Sequence, residues 1–179
     1  MAGYMIHIAV GKVIFDKNKN MKSEDYEGFL QGIIMPDYKK NNLRNSKLDK
    51  GDELWKLTHS LDMNKKFEDL TPYELGYFVH LVTDKYFYQV YNNCGPHYED
   101  YNFTNKMLME KYNLDLPVLI EDDVEFKQGA PRVLKTDGLC KFIDEMSNLN
   151  LKKEYEKCKN TEMNNNPFNK QENIKTEEV

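Results

Sequence analysis

No apolar run in the chain approaches the roughly 20 residues that a membrane-spanning helix requires, so no transmembrane segment is expected. Cysteine is scarce: Cys94, Cys140 and Cys158 are odd in number and form no C-x-x-C, which argues against a disulfide framework and for reduced thiols. Positive charge does not dominate either. The 25 Lys and Arg face 30 Asp and Glu, a net charge of -5, which argues against a broad footprint for nucleic acid or an anionic membrane. Met1 to Val10 has no early Lys or Arg and is interrupted by His7, unlike a secretory leader, so the protein is expected in the cytoplasm. Several hydrolase signatures are also missing: there is no H-E-x-x-H, no G-K-[ST] phosphate loop and no adjacent His-Asp pair.

What is present is a chain of 179 residues, a length suited to one domain, with a 12% aromatic share that supplies a core within a polar remainder. Met5, Ile6, Ile8, Ala9, Val13 and Ile14 follow a helical period, which puts His7 inside a first helix. A second helix is predicted from Ser23, with Glu24 and Asp25 in its first turn, and Pro36 is expected to stop it, leaving Asp37 just past its end. Residues Tyr38 to Gly51 read as a solvated loop, and Trp55 and Leu57 lead to His59 and a short helix ending near Leu70. Thr71-Pro72-Tyr73-Glu74 combines a cap, a first-position proline and a capping-box glutamate, and opens a helix to about Tyr91 that is apolar on most faces and hence central. Asn92 to Pro96 reads as a turn, and further helices are predicted from Glu99 to about Asn113 and from Asp137 to Leu149. Residues 114–128 stay open between helix, strand and docked loop. The fold expected is all-α: a single helical domain over 1–159 around a buried central helix, with a disordered polar tail over 160–179.

The chain holds only 4 His, and three of them, His7, His59 and His80, sit beside apolar neighbours. His80 and Asp84 are four apart, so on a helix they project from one face and can share one ion; a plain His-Asp hydrogen bond is the alternative. A carboxylate on a buried helix is costly unless a cation or several donors meet it, and Lys85 diverges from it. Taken singly, His7 reads as a core histidine, Asp37 as a turn residue and His59 as a helix cap. Taken together, His7, Asp37, His59, His80 and Asp84 have the imidazole and carboxylate composition of a zinc-type hydrolytic site.

The order Met5-x-His7, Gly32-x-x-x-Pro36-Asp37, Thr58-His59-Ser60 and Gly76-Tyr77-x-x-His80-Leu81-x-x-Asp84 resembles the zinc-dependent phospholipase C family, whose relatives include single-strand-specific zinc nucleases. The resemblance spans about residues 1–110. It implies an all-helical fold, a cluster of up to three zinc ions and cleavage of phosphodiester bonds. Asp37, His59, His80 and Asp84 would hold one zinc, with His7 and Asp84 turned toward a neighbouring ion. The family supplies two more His and a Glu beyond this set, whereas only His97 remains here, with Glu99 and Asp100 close by, so one or two ions are expected.

The expected activity is a zinc-dependent phosphoester hydrolase, a phosphodiesterase of the phospholipase C-like type acting on a small phosphoester or a lipid head group. Zinc lowers the pKa of its water to about 7 and clamps phosphoryl oxygens. Asp37, as an alternative to ligating, is the residue expected to orient or deprotonate that water, with Glu99, Asp100, Tyr77 and Tyr88 as lesser candidates for supporting or substrate contacts. A non-catalytic helical protein with a structural metal or a buried polar network, acting through a partner, is the alternative. A nuclease reading finds only faint support in Tyr86 and Tyr88 near Lys85.

Overall fold

The computed structural model describes residues 2–43, 58–91 and 98–160, and among these the chain is helical with no strand. The helices are α1 (Tyr4–Lys17), α2 (Tyr26–Leu43), α3 (Pro72–Tyr91), α4 (Tyr98–Tyr112), α5 (Thr136–Met146) and α6 (Leu151–Asn160). Short 3-10 turns occupy Ser23–Asp25, Phe67–Asp69 and Val118–Asp123, the last within the segment that sequence pattern left open. None of the helices among the described residues is long and apolar enough to cross a membrane.

The central helix is α3, as its apolar faces predict: every residue from Gly76 to Asp84 is buried. It begins at the predicted capping box, where the Thr71 amide donates to Glu74 Oε2 at 2.9 Å and the Glu74 amide to Thr71 Oγ1 at 3.2 Å. Its principal partner is α2. The two meet backbone to backbone, because a Cβ on Gly32 would lie 2.0 Å from the Tyr73 carbonyl oxygen and one on Gly76 2.0 Å from that of Phe29. Helix α1 is buried from Met5 through Gly11 and packs on α2, α3, α4 and α5. Helix α5 brings Leu139, Ile143 and Met146 onto α1.

Three elements differ from the sequence reading. Helix α2 does not stop at Pro36 but runs on to Leu43, so Asp37 lies inside it and Tyr38 to Leu43 are helical rather than loop. The preference of a pre-proline residue against helix is local, and here a continuous buried face, Phe29, Ile33, Ile34, Pro36, Asp37 and Lys40, outweighs it. Helix α6 was not foreseen, since its polar composition hides Tyr155. That ring is fully buried, meets Phe78 edge-on at 5.3 Å and donates its hydroxyl to the Lys65 carbonyl at 2.8 Å. The helix predicted between His59 and Leu70 is reduced to the 3-10 turn at Phe67–Asp69. The rest of the predicted loop (44–51), Trp55, Leu57, the turn at 92–96, Cys94, His97 and tail residues 161–179 lie outside the described residues. Cys140 and Cys158 are free thiols, both buried.

Candidate metal centre

Five side chains from four places in the chain converge where α1, α2 and α3 meet. His7 comes from α1, Asp37 from α2, His80 and Asp84 from one face of α3, and His59 from the segment leading toward α3. All are buried: His7 1%, Asp37 5%, His59 1%, His80 0% and Asp84 3% exposed. Their donor atoms face one another. His7 Nε2 lies 3.1 Å from Asp84 Oδ1 and 3.8 Å from Asp37 Oδ2; His59 Nε2 lies 3.3 Å from Asp37 Oδ1; His80 Nε2 lies 3.3 Å from Asp84 Oδ2 and 3.3 Å from His59 Nε2. Zn–N and Zn–O bonds near 2.0–2.2 Å in a tetrahedron set donor-to-donor edges of about 3.3 Å, and these separations bracket that value. Two overlapping groups, His7 with Asp37 and His80, and His59 with His80 and Asp84, can each hold a metal ion.

The surroundings orient these donors. His80 Nδ1 faces the Ile33 carbonyl at 2.7 Å, and a carbonyl only accepts, so Nδ1 carries the proton and the lone pair of a neutral ring sits on Nε2, toward the cluster. A metal-binding imidazole has this arrangement, its far nitrogen donating to a carbonyl or carboxylate. It depends on the glycine contact of α2 with α3, which brings Ile33 to His80. His59 Nδ1 sits 2.9 Å from Thr58 Oγ1, and the Tyr77 hydroxyl donates to the Thr58 carbonyl, tying this segment to α3. The imidazoles of His7 and His80 stack at 3.7 Å with planes 8° apart. The backbone amide of Ala2 donates to Asp84 Oδ1 at 3.0 Å.

Polar groups in the cluster are left over. Neither nitrogen of His7 nor Asp84 Oδ2 has a hydrogen-bond partner among the described residues, although His7 Nε2 is close to a carboxylate oxygen. Each such buried orphan costs about 1–3 kcal/mol, and a cation in the cluster satisfies His7 Nε2 and Asp84 Oδ2 at once, with the N–H of the neutral ring left on Nδ1. The donor set therefore fits a metal ion.

Electrostatics point the same way. Burial, with the neighbouring charge of His80, holds His7 below the ordinary imidazole value, and burial does the same to His59. In His80 burial is outweighed by Asp37 and Asp84, and its pKa is raised. Burial would lift both carboxylates, yet His7 and His80 hold Asp84 well below the usual range, and Lys40, His80 and His59 do the same for Asp37. These directions favour the ionised form of Asp37 and Asp84 and a proton on His80. A metal ion can replace that proton.

No protein-family model, curated protein or solved structure matches this chain.

A cleft of about 200 Å³ opens beside the cluster between the start of α1, the end of α2 and α4; Ala2, Tyr4, Asp37, Lys40, Tyr101 and Asn105 line it. Of the five donors, Asp37 alone reaches this lining. Lys40, assigned to a solvated loop by sequence pattern, is 5% exposed with Nζ 3.3 Å from Asp37 Oδ1. Its signal was the i, i+3 spacing from Asp37, legible only if the helix continues past Pro36.

Other candidates lie elsewhere. Asp100 accepts the backbone amides of Arg132, Val133 and Leu134 at 2.9, 2.7 and 3.0 Å, so its carboxylate holds the chain ahead of α5 rather than a ligand. Glu99 is exposed, Tyr88 is half-buried, and neither lines the cleft. Lys85 lies 3.9 Å from Glu154 of α6.

Proposed function

We propose that this protein is a zinc-dependent hydrolase of phosphoester bonds. The observation that carries the reading is the convergence of three imidazoles and two carboxylates, all buried, with polar atoms that no group among the described residues satisfies. The motif resemblance to the zinc-dependent phospholipase C family supports the same chemistry from the sequence side. His7, His59, His80 and Asp84, with Asp37, would hold one or two ions. Bound zinc supplies Lewis acidity, drawing charge from a phosphoryl oxygen and bringing the pKa of a coordinated water to about 7.

The residues of the chain divide the remaining work. Asp37 stands between cluster and cleft, where it would orient the attacking water toward a substrate held in the cleft. Its depressed pKa suits a ligand and orienter better than a proton acceptor, because a base works best with a pKa near the working pH. His80, with Nδ1 fixed on the Ile33 carbonyl, keeps Nε2 aimed at the site through turnover. Tyr77 anchors the segment that carries His59. The test is metal analysis of the purified protein with hydrolysis of a chromogenic phosphodiester by wild type, His80→Ala and Asp84→Asn. Zinc content and turnover should fall together in both variants, and equal activity in all three proteins ends the hydrolase reading.

One observation favours a second reading, a structural metal in a protein that acts through a partner. Four of the five donors are 3% exposed or less, and a closed site is the mark of structural zinc. Chelator would then lower the melting temperature of a protein with no turnover to lose.

A further inference from the structure

The α4 side of the cleft is built to accept hydrogen bonds. Asn105 of α4 is 5% exposed, and its Nδ2 donates to the Glu125 carbonyl at 2.9 Å, which fixes the amide because a carbonyl only accepts. Its Oδ1 meets no donor among the described residues and keeps contact with the cleft that Asn105 lines. The wall is held firmly here, since the Lys127 amide donates to the Asn102 carbonyl at 2.8 Å and pins the chain that follows Asp123 onto α4. Asp123 lines the same cleft with an exposed carboxylate that makes no hydrogen bond or ion pair among the described residues. An amide oxygen and a carboxylate only accept, so the group that fills this end of the cleft has to bring donors.

An ammonium and a hydroxyl both donate, and charge decides between them. Across the cleft and the cluster, Asp37, Asp84 and Asp123 carry the negative charges, and Lys40 with one bound dication balances them; a second dication makes the site positive. An ammonium would shed its water near Lys40 and a metal with no net field to offset that loss. A hydroxyl brings a donor without charge. The rings of Tyr98 and Tyr101, edge to face at 6.2 Å, also line the cleft and offer apolar surface to a carbon skeleton. Resting on the phosphoester reading, we infer that the substrate carries an uncharged polyol, of the size of glycerol or a single sugar ring, whose hydroxyls donate to Asn105 Oδ1 and to the Asp123 carboxylate. The cleft of about 200 Å³ falls below the roughly 300–1,000 Å³ of sites that enclose larger ligands, which suits a group of that size.

The experiment titrates glycerol 3-phosphate, propyl phosphate and choline phosphate by calorimetry into the zinc-loaded protein, with zinc content and melting temperature measured alongside. The phosphoryl group is common to all three, so differences in affinity report the substituent. Wild type is expected to bind glycerol 3-phosphate about tenfold more tightly than propyl phosphate, as for one or two added hydrogen bonds, and choline phosphate no more tightly than propyl phosphate. Asn105→Leu should bring the glycerol-to-propyl ratio close to one, whereas a residue that only shapes the wall would weaken both esters alike and keep the ratio. Asp123→Ala, at an exposed position, should lower the ratio about threefold and carries the test if Asn105→Leu does not fold. Competition by phosphatidylglycerol vesicles as well as by the soluble ester supports a polyol carried on a lipid, and competition by the soluble ester alone supports a free one. Equal affinity of wild type for glycerol 3-phosphate and propyl phosphate, or tightest binding of choline phosphate, overturns the polyol and leaves the metal centre standing. Wild type that takes up zinc and binds none of the three esters overturns the phosphoester reading, and wild type that takes up no zinc overturns the metal centre itself.

Discussion

Two buried aspartates show how one residue type serves opposite ends. Asp100 is satisfied by three backbone amides, whereas Asp84 receives one backbone amide among the described residues, that of Ala2, and crowds against His7 and His80. Their amides should therefore behave differently. Asp100→Asn replaces two accepting oxygens by one and sets an NH2 against backbone N–H groups; it is expected to lower stability by about 1–3 kcal/mol and leave zinc uptake unchanged, measured by urea melts and elemental analysis. Asp84→Asn is expected to lose zinc with little change in the melting temperature of the chelated protein. At the same scale, Tyr77→Phe removes the hydroxyl that holds the Thr58 carbonyl. It should weaken zinc binding by about tenfold to a hundredfold, the usual effect of losing a group that supports a ligand, in a competition titration against a chromophoric chelator.

Among the elements, the pairing of α2 with α3 decides whether the site forms. Gly32 and Gly76 face carbonyl groups, which cannot rotate away as a flexible side chain would. Gly32→Ala and Gly76→Ala gain helix propensity of up to about 1 kcal/mol but must force two backbones apart. A net loss of about 1–3 kcal/mol is expected, a fall in melting temperature of about 3–10 °C, together with weaker zinc binding as Ile33 moves from His80. The start of α3 has its own acid sensitivity. Lys65 and the Thr71 cap hold the Glu74 pKa below its ordinary 4.5, so the stability it contributes is present above pH 4.5 and is lost as the pH falls through the lowered value. Glu74→Gln should show a shallower loss of melting temperature over that acid range than wild type.

For the whole molecule, a metal bound only by the folded state adds stability in proportion to the logarithm of its excess over Kd. At a thousandfold excess this is about 4 kcal/mol, or about 8–16 °C in melting temperature for a domain of this size. Zinc should raise the melting curve by that order and chelator should return it, and an identical curve under both conditions would remove the metal from the account. The three helices that carry four of the five donors also supply much of the core, so a gain at the site is felt by the fold as a unit.

Much of this was already legible along the chain. The helical class, the burial of α3 and its capping box follow from periodicity and local hydrogen bonding, which act within a few residues. The identities of His7, Asp37, His59, His80 and Asp84 could be named because imidazoles were few and apolar neighbours surrounded them; the i, i+4 spacing joined only His80 and Asp84. Tertiary packing decided the rest. It carried α2 through Pro36, turned Lys40 from a loop residue into part of the site, spent Asp100 on the backbone and brought out α6 through Tyr155. It also set the proton of His80 on the Ile33 carbonyl. These outcomes depend on contacts between segments far apart in sequence, whose energies exceed the local preferences they override and which no short window of residues contains.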